Sequence, residues 1–458
     1  MTGATAVLAV GLGLVLLLPL AWRIRHGRFD CFEPIVLFAV AWGVMFVVRP
    51  LAMLVRHDWV YFGLNVRGTL GLAILLALLG GVGFVAGYEL PLGGRLARTV
   101  PRAASPMREG PMLAAAIVTG LLGVVILVVF LPASEGVSAL DPLLQGRDQP
   151  LGALIGDSST YLWYGSLLVI PAALASIAVT LRTRRPLAAL SAAVFSAVAL
   201  LRTVPVGDRT ELLVFGGGIL VFAYLRRRSR PGRIGFALGM VMALAVSYFF
   251  LVFRYPDSSG GVLSDVTSIA RQPTQIFSPL LGGADAEMAP VLAGALTAIP
   301  GELGYGYGRY TLGDLATRPI PRQLWSGKPD PPGQKIVQTV WPIAYSYGFD
   351  PAFSPVTFLY WDFGIGGVVA GMALFGIAFR ALYEWFLGNS RRMEAQLLFA
   401  ASLWFVVIGA RNDPVDTTIQ ATFVLLPLVW ILAAGFAHWP FAFRRPAQPD
   451  RRPDTGHS

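Results

Sequence analysis

The sequence predicts an all-α polytopic integral membrane protein with about eleven transmembrane helices and one large outer loop carrying short interfacial helices. Three observations predict it. Of 458 residues, 55% are hydrophobic and 14% charged, whereas a soluble domain carries roughly 25% charged residues. The apolar residues fall into blocks of roughly 17–25, the length that crosses a hydrocarbon layer. Arginine clusters recur on every second connection, the distribution that the positive-inside rule describes. That distribution also accounts for the net charge of +10, so the basic balance gives no reason to expect a nucleic-acid partner.

Candidate spans run at roughly 4–22, 33–54, 68–88, 111–131, 160–181, 187–203, 209–225, 234–253, 358–379, 396–410 and 418–437. The first is followed by Arg23, Arg25 and Arg28, the reverse of the charge order of a secretory signal peptide. It reads as a retained helix with its N-terminus outside. Odd-numbered connections then face the cytoplasm, and together with the tail they hold about 22 basic residues against about 7 in the short outer connections and their flanks. The inverted topology would put nearly every arginine cluster outside and is rejected. Arg49 lies inside the second span, where it must snorkel to the outer interface or face a polar cavity. Residues 187–225 are too long for one crossing, and Pro205 and Gly207 suit a turn, so a helical hairpin with its tip outside is expected.

Four regions follow: helices one to eight in 1–253, the outer loop in 254–352, the last three helices in 353–440, and a tail in 441–458. The tail is rich in Pro, Arg and Asp, the composition of a disordered cytoplasmic segment. The expected location is the plasma (inner) membrane, multi-pass, with a cytoplasmic C-terminus. Cys31 is the only cysteine, which excludes an intramolecular disulfide and a cysteine metal cluster.

The outer loop concentrates unusual chemistry. Short apolar stretches at 275–282 and 288–299 suit interfacial or re-entrant helices. The Gly/Tyr-rich run 301–310 and the Pro/cation-rich run 318–335 then combine turns, aromatics and positive charge, and Lys328 and Lys335 are the only lysines in the chain. Tyr and Trp rings stack on sugar faces or sit at the membrane interface. Arginine offers a planar donor fork matched to phosphate oxygens. The plain alternative is a Pro-stiffened, solvated loop. Further charges fall at the same outer level: Asp208, Arg209 and Glu211 at the hairpin tip, Arg411, Asp413 and Asp416 between the last two helices, and Asp362 at the start of the helix after the loop. Helix-end charges also form ordinary ion pairs. Asp285 and Glu287 are a weak acidic metal pair, since acids favour a helix N-terminus in any case. His26, His57, His438 and His457 show no ligand spacing, and no Walker phosphate loop occurs.

The Gly-x-Arg at the hairpin tip (Gly207, Arg209), the loop segment Ile320-Pro-Arg-Gln-Leu-Trp-Ser-Gly-Lys-Pro329 and Tyr360-Trp-Asp-Phe-Gly-Ile-Gly after it resemble O-antigen and oligosaccharide repeat-unit polymerases of the Wzy type. The resemblance covers most of the chain in layout, with motifs amounting to roughly thirty residues. It implies a metal-independent, cofactor-free glycosyl transfer at the outer membrane face. A growing glycan leaves its undecaprenyl pyrophosphate carrier and joins a newly flipped lipid-linked repeat unit. The partners implied are undecaprenyl-pyrophosphate-linked glycan, membrane lipids and a chain-length regulator.

Fixed cations stabilise charge developing on pyrophosphate most strongly in a dry site. Arg209, Arg309, Arg322 and Lys328 are the candidates for that catalytic role, with Arg254 and Arg411 as substrate-binding cations. The acceptor hydroxyl needs a base or orienting carboxylate, for which Asp208, Glu211, Asp362 and Asp413 are available. Tyr310 and Trp325 are the candidate sugar-contacting rings. The rival readings are an O-antigen ligase, a metal-dependent polyprenol-linked glycosyltransferase and a transporter. Ligases of that type are expected to use a histidine in the large loop, which here has none, and the metal-dependent transferases need paired acids in the first outer loop, where only His57-Asp58 stands. Transport usually uses polar, broken helices inside the membrane, whereas these spans are nearly pure Ala, Leu, Val and Gly.

Overall fold

A computed structural model describes residues 2–100, 107–133, 160–206, 209–228, 231–232, 234–235, 238–239, 286–320 and 324–436. The described chain is almost wholly helical, and nine of its helices are long and apolar enough to cross a membrane. In order these elements are α1 (Thr2–Arg25), α2 (Pro34–Gly43) continued through a π-turn into α3 (Arg49–Arg56), and a two-residue hairpin, β1 (Val60–Tyr61) with β2 (Leu64–Asn65). Then come α4 (Arg67–Glu89), α5 (Leu92–Thr99), α6 (Glu109–Ala133), α7 (Thr160–Gly165), α8 (Val169–Thr183) and α9 (Pro186–Val206). The helical run 209–226 holds α10 (Arg209–Leu212) and α11 (Gly218–Arg226). The loop region supplies α12 (Met288–Ala298), α13 (Asp314–Thr317), α14 (Pro332–Val340) and α15 (Pro342–Ser346). The chain finishes with α16 (Pro355–Asn389), α17 (Met393–Leu403), α18 (Phe405–Arg411) and α19 (Pro414–Ala434).

Several helices open on proline, at Pro34, Pro332, Pro355 and Pro414. Its fixed φ and missing N–H suit the first helical turn. The centre of the bundle is the pair α4 and α16, brought together by glycine. A Cβ on Gly83 would lie 2.6 Å from the Val369 carbonyl oxygen, and one on Gly87 would strike the Ala373 backbone. Small residues let backbones approach where lipid supplies no hydrophobic drive. Fully buried Trp42, Phe38 and Phe84 pack beside this seam, with the two phenyl rings stacked at 3.6 Å.

The nine span candidates match nine of the expected crossings, with shifted ends. The helix expected at 358–379 runs from 355 to 389, and those expected from 396 and 418 start at 393 and 414. The hairpin at 187–225 is two helices, Pro186–Val206 and the run 209–226, while its tip, Gly207 and Asp208, lies outside the described residues. So do the expected loop helix at 275–282, most of the expected span at 234–253 and the tail at 441–458.

Alternating helix directions sort polar groups to two ends. At one end the Arg23 guanidinium grips Glu33 through two hydrogen bonds of 2.8 and 3.0 Å and donates to Glu89 at 2.8 Å. At the other end residues 286–320 and 324–354 seat on the bundle. There α12 is buried along nearly its whole length. Thr69 of α4 donates to the Ala293 carbonyl at 2.6 Å, Tyr61 donates to Glu287 at 2.8 Å, and Trp341 donates to the Tyr61 carbonyl at 3.3 Å. Arg49 is buried in this region, close enough to Tyr61 to oppose the upward push that burial and Glu287 exert on its phenol.

Candidate functional site on the loop face

The centre of the loop face is the short helical stretch 309–317, a π-turn (Arg309–Gly313) running into α13. The chain enters it through two left-handed residues, Tyr307 and Gly308, with φ of 50° and 90°. Asp362, fully buried in α16, fixes the start. Its carboxylate accepts the backbone N–H groups of Tyr310 (3.1 Å) and Thr311 (2.7 Å) and the Thr311 hydroxyl (2.6 Å). The α16 carbonyls of Trp361 and Asp362 accept from the N–H groups of Gly306 and Tyr307 at 2.9 and 3.0 Å. Gly306 is required there, because a Cβ would collide with the Asp362 carboxylate and the Tyr310 ring. Two residues later α16 breaks at Gly364, with φ 62° and ψ −155°. A left-handed φ with that ψ is open essentially to glycine alone.

Aromatic packing holds the same turn. Tyr310 stacks on Trp361 with ring centroids 3.5 Å apart, and the Trp361 indole donates to the Gly304 carbonyl at 3.0 Å. The Lys335 ammonium donates to the Tyr310 hydroxyl at 3.2 Å and lies over both rings.

The end of the stretch is held by charge. Arg318 grips Asp314 one turn earlier, with contacts of 2.6 and 3.3 Å, and donates to Asp416 at the start of α19 at 3.0 Å. Asp413 caps α19 by accepting the Val415 N–H at 2.7 Å. Burial pushes the Asp413 carboxyl well above the usual range, and nearby Asp416 adds to the push; the Val415 N–H and Arg318 oppose it only in part. Burial works against the charge on Arg318, but Asp416 and Asp314 outweigh it and hold the guanidinium protonated. Three carboxylates thus surround one cation. No group of His, Cys, Asp or Glu among the described residues is arranged to hold a metal ion.

The expected residues divide by role. Lys328 donates to the Tyr161 hydroxyl (3.1 Å) and the Arg318 and Ile320 carbonyls (3.0 and 2.9 Å), so its ammonium ties the loop to the start of α7. Tyr310 is buried and Asp362 is an anchor. Glu211 does not face the rim: it forms a buried ion pair with Arg202 of α9. Arg202 also donates to Ser166 at 2.5 Å and to the Trp163 carbonyl at 2.8 Å, with its guanidinium 3.8 Å over the Trp163 ring. Arg411 ends α18, half-buried, beside the Asp413 turn. Arg309 and Trp325 are exposed, and the Arg309 side chain has no hydrogen-bond or ion-pair partner among the described residues. Tyr305 and Tyr307 beside Arg309 are also exposed, at 42% and 84%. Asp208, Arg254, Arg322 and the side chain of Arg209 lie outside the described residues.

Arg318, Asp314, Arg202 and Tyr161 were not expected. The Asp314–Arg318 pair has helical i, i+4 spacing, a signal that could have found it. The Arg318–Asp416 contact spans 98 residues and has no local signature. No protein-family model, no curated protein and no solved structure matches the chain.

Proposed function

We propose that this chain polymerises oligosaccharide repeat units carried on undecaprenyl pyrophosphate, as a glycosyltransferase at the outer face of the plasma membrane. The proposed topology has eleven crossings, adding the run 209–226 and the segment near 234–253 to the nine candidates, with the N-terminus outside. The observation that carries the reading is Arg309: an exposed cation, unpaired among the described residues, on a turn pinned by Asp362 and flanked by the exposed rings of Tyr305 and Tyr307. A fixed cation beside sugar-stacking rings suits a donor whose leaving group is pyrophosphate.

In the proposed step the acceptor hydroxyl oxygen bonds to the donor's anomeric carbon. The bond from that carbon to the pyrophosphate oxygen breaks, and the pyrophosphate leaves with the electron pair. Arg309, with Arg209 and Arg322, neutralises the charge that develops; Arg254 and Arg411 hold outlying phosphate or glycan oxygens. The hydroxyl proton passes to the Asp413 carboxylate, where burial and the neighbouring Asp416 favour proton uptake. Trp325 contacts sugar. Lys328, Asp362 and Tyr310 act by positioning the loop, and Glu211 by holding the 186–226 hairpin.

Deleting the gene in its host and examining the surface glycan tests the reading. Single lipid-linked repeat units would support it. Full-length polymer that is not attached would indicate a ligase, and an unchanged glycan would refute glycan chemistry altogether. Arg309→Ala should lower chain extension by roughly 100–1000-fold while membrane insertion and thermal stability stay unchanged.

A further inference from the structure

At the end opposite the loop face, a cavity of about 890 Å³ opens between α5 and the last turns of α16. Its walls include Arg95, Arg98 and Arg380, with Glu89, Glu384 and Trp385. The acids are already engaged. Glu89 accepts from Arg23, and Glu384 lies 2.5 Å from Arg380, which also approaches Glu33 at 3.6 Å. Arg95 and Arg98 are exposed and have no carboxylate partner among the described residues. Counting the pairs behind the wall, Arg23, Arg95, Arg98 and Arg380 face Glu33, Glu89 and Glu384, four positive charges against three negative.

The helix carrying Arg95 and Arg98 is amphipathic in a particular way. Gly93 and Ala97 turn inward, and a Cβ on Gly93 would come within 2.7 Å of the Arg380 side chain, so α5 lies tightly across α16. Leu92 and Leu96, followed by Val100, are exposed at 43%, 50% and 47%, one turn apart. No described residue covers this apolar stripe, and α5 begins three residues after the transmembrane helix α4 ends. Such a helix lies in the membrane interface with its apolar stripe in the acyl region and its cations at headgroup level.

We propose that this cavity is a binding site for the phosphate diester headgroup of an anionic glycerophospholipid. Arg95 and Arg98 contact the phosphate, and Leu92 and Leu96 lie along the acyl chains. The phosphate chemistry alone would also fit a free anion; the leucine stripe favours the lipid. The site is separate from the loop face and does not depend on the glycan reading.

The test uses the full chain, purified in detergent and titrated by native mass spectrometry with phosphatidylglycerol or phosphatidylcholine of matched acyl chains. Phosphatidylglycerol should bind at least roughly ten-fold more tightly, and R95Q/R98Q should remove the preference. Equal binding of the two lipids, or a preference that survives the double substitution, would overturn the proposal. Inorganic phosphate that displaces the lipid at similar concentration would assign the site to a soluble anion and overturn the lipid assignment. A photoactivatable phosphatidylglycerol on the unmodified chain makes the test independent of how the variant folds. Attachment within 92–100 or 380–389 is expected, and attachment elsewhere alone would refute the site.

Discussion

Asp362→Ala should release the turn at 306–313 from α16 without unfolding the bundle. The buried carboxylate accepts three hydrogen bonds, two from backbone amides and one from the Thr311 hydroxyl. Hydrogen bonds to a charged group contribute about 1.5–3 kcal/mol each, so losing three removes at least about 4.5 kcal/mol. Water entering the vacated space would return part of this, leaving opening of the turn easier by about 3–4 kcal/mol. The remaining contacts, the Tyr310–Trp361 stack and the amides of Gly306 and Tyr307, do not involve the side chain and should survive. At 1.4 kcal/mol per factor of ten, hydrogen exchange at the Tyr310 and Thr311 amides should accelerate by roughly 100–1000-fold. Deuterium uptake of the 306–313 peptides, followed by mass spectrometry in detergent, measures this directly. Asp362→Asn, which keeps one acceptor oxygen, should fall between. Unchanged uptake in a correctly folded Asp362→Ala variant would show that the carboxylate does not anchor the turn.

The remaining predictions concern other ends of the same framework. Glu211→Gln, which strands the buried Arg202 charge, should cost about 3–5 kcal/mol and appear as a lower thermal midpoint, whereas Arg309→Ala should leave the midpoint unmoved. Because the Asp413 carboxyl is held above its ordinary value of 3.8, the folded state binds its proton more tightly than the unfolded state. Its contribution is therefore complete below about pH 3.8 and is lost as pH rises through the elevated value. Asp413→Asn should consequently gain stability relative to the parent as pH increases, and thermal midpoints measured from pH 5 to 9 would show a difference that grows. Gly83→Ala should force α4 and α16 apart and destabilise by about 1–3 kcal/mol or more, seen as a lower midpoint; an unaffected midpoint would mean the seam can yield.

The apolar block lengths were enough to find nine span candidates among the described residues, because hydrocarbon thickness constrains length independently of tertiary detail. Their ends were less legible where charges neutralise one another. Residues 380–389 look too polar for a span, yet Arg380 and Glu384 pair one turn apart, and α16 continues to Asn389. Arg202 likewise interrupts an apolar run in the sequence but sits within α9, because Glu211 returns from the next helix to meet it. Arg309, Asp413 and Asp362 all lie on the loop face. Asp362 was expected to have a chemical role because nothing local reveals that two amides and a hydroxyl from residues 310 and 311 occupy its carboxylate. Lys328 was assigned to phosphate for a similar reason: of its three acceptors, the Tyr161 hydroxyl lies 167 residues away in the chain, and the nearby Arg318 and Ile320 carbonyls leave no mark in the sequence.

The contacts made by α12 also set an order on assembly. Tyr61 meets Glu287, and Thr69 meets Ala293, across 226 and 224 residues. At about 5–20 residues per second of synthesis, the loop partners emerge roughly 11–45 s after the groups they satisfy. Through that interval the early helices stand in the bilayer with their loop-facing ends unsealed, and they acquire their covering only when the chain doubles back over them. Membrane insertion and closure of the loop-facing end are thus separated in time.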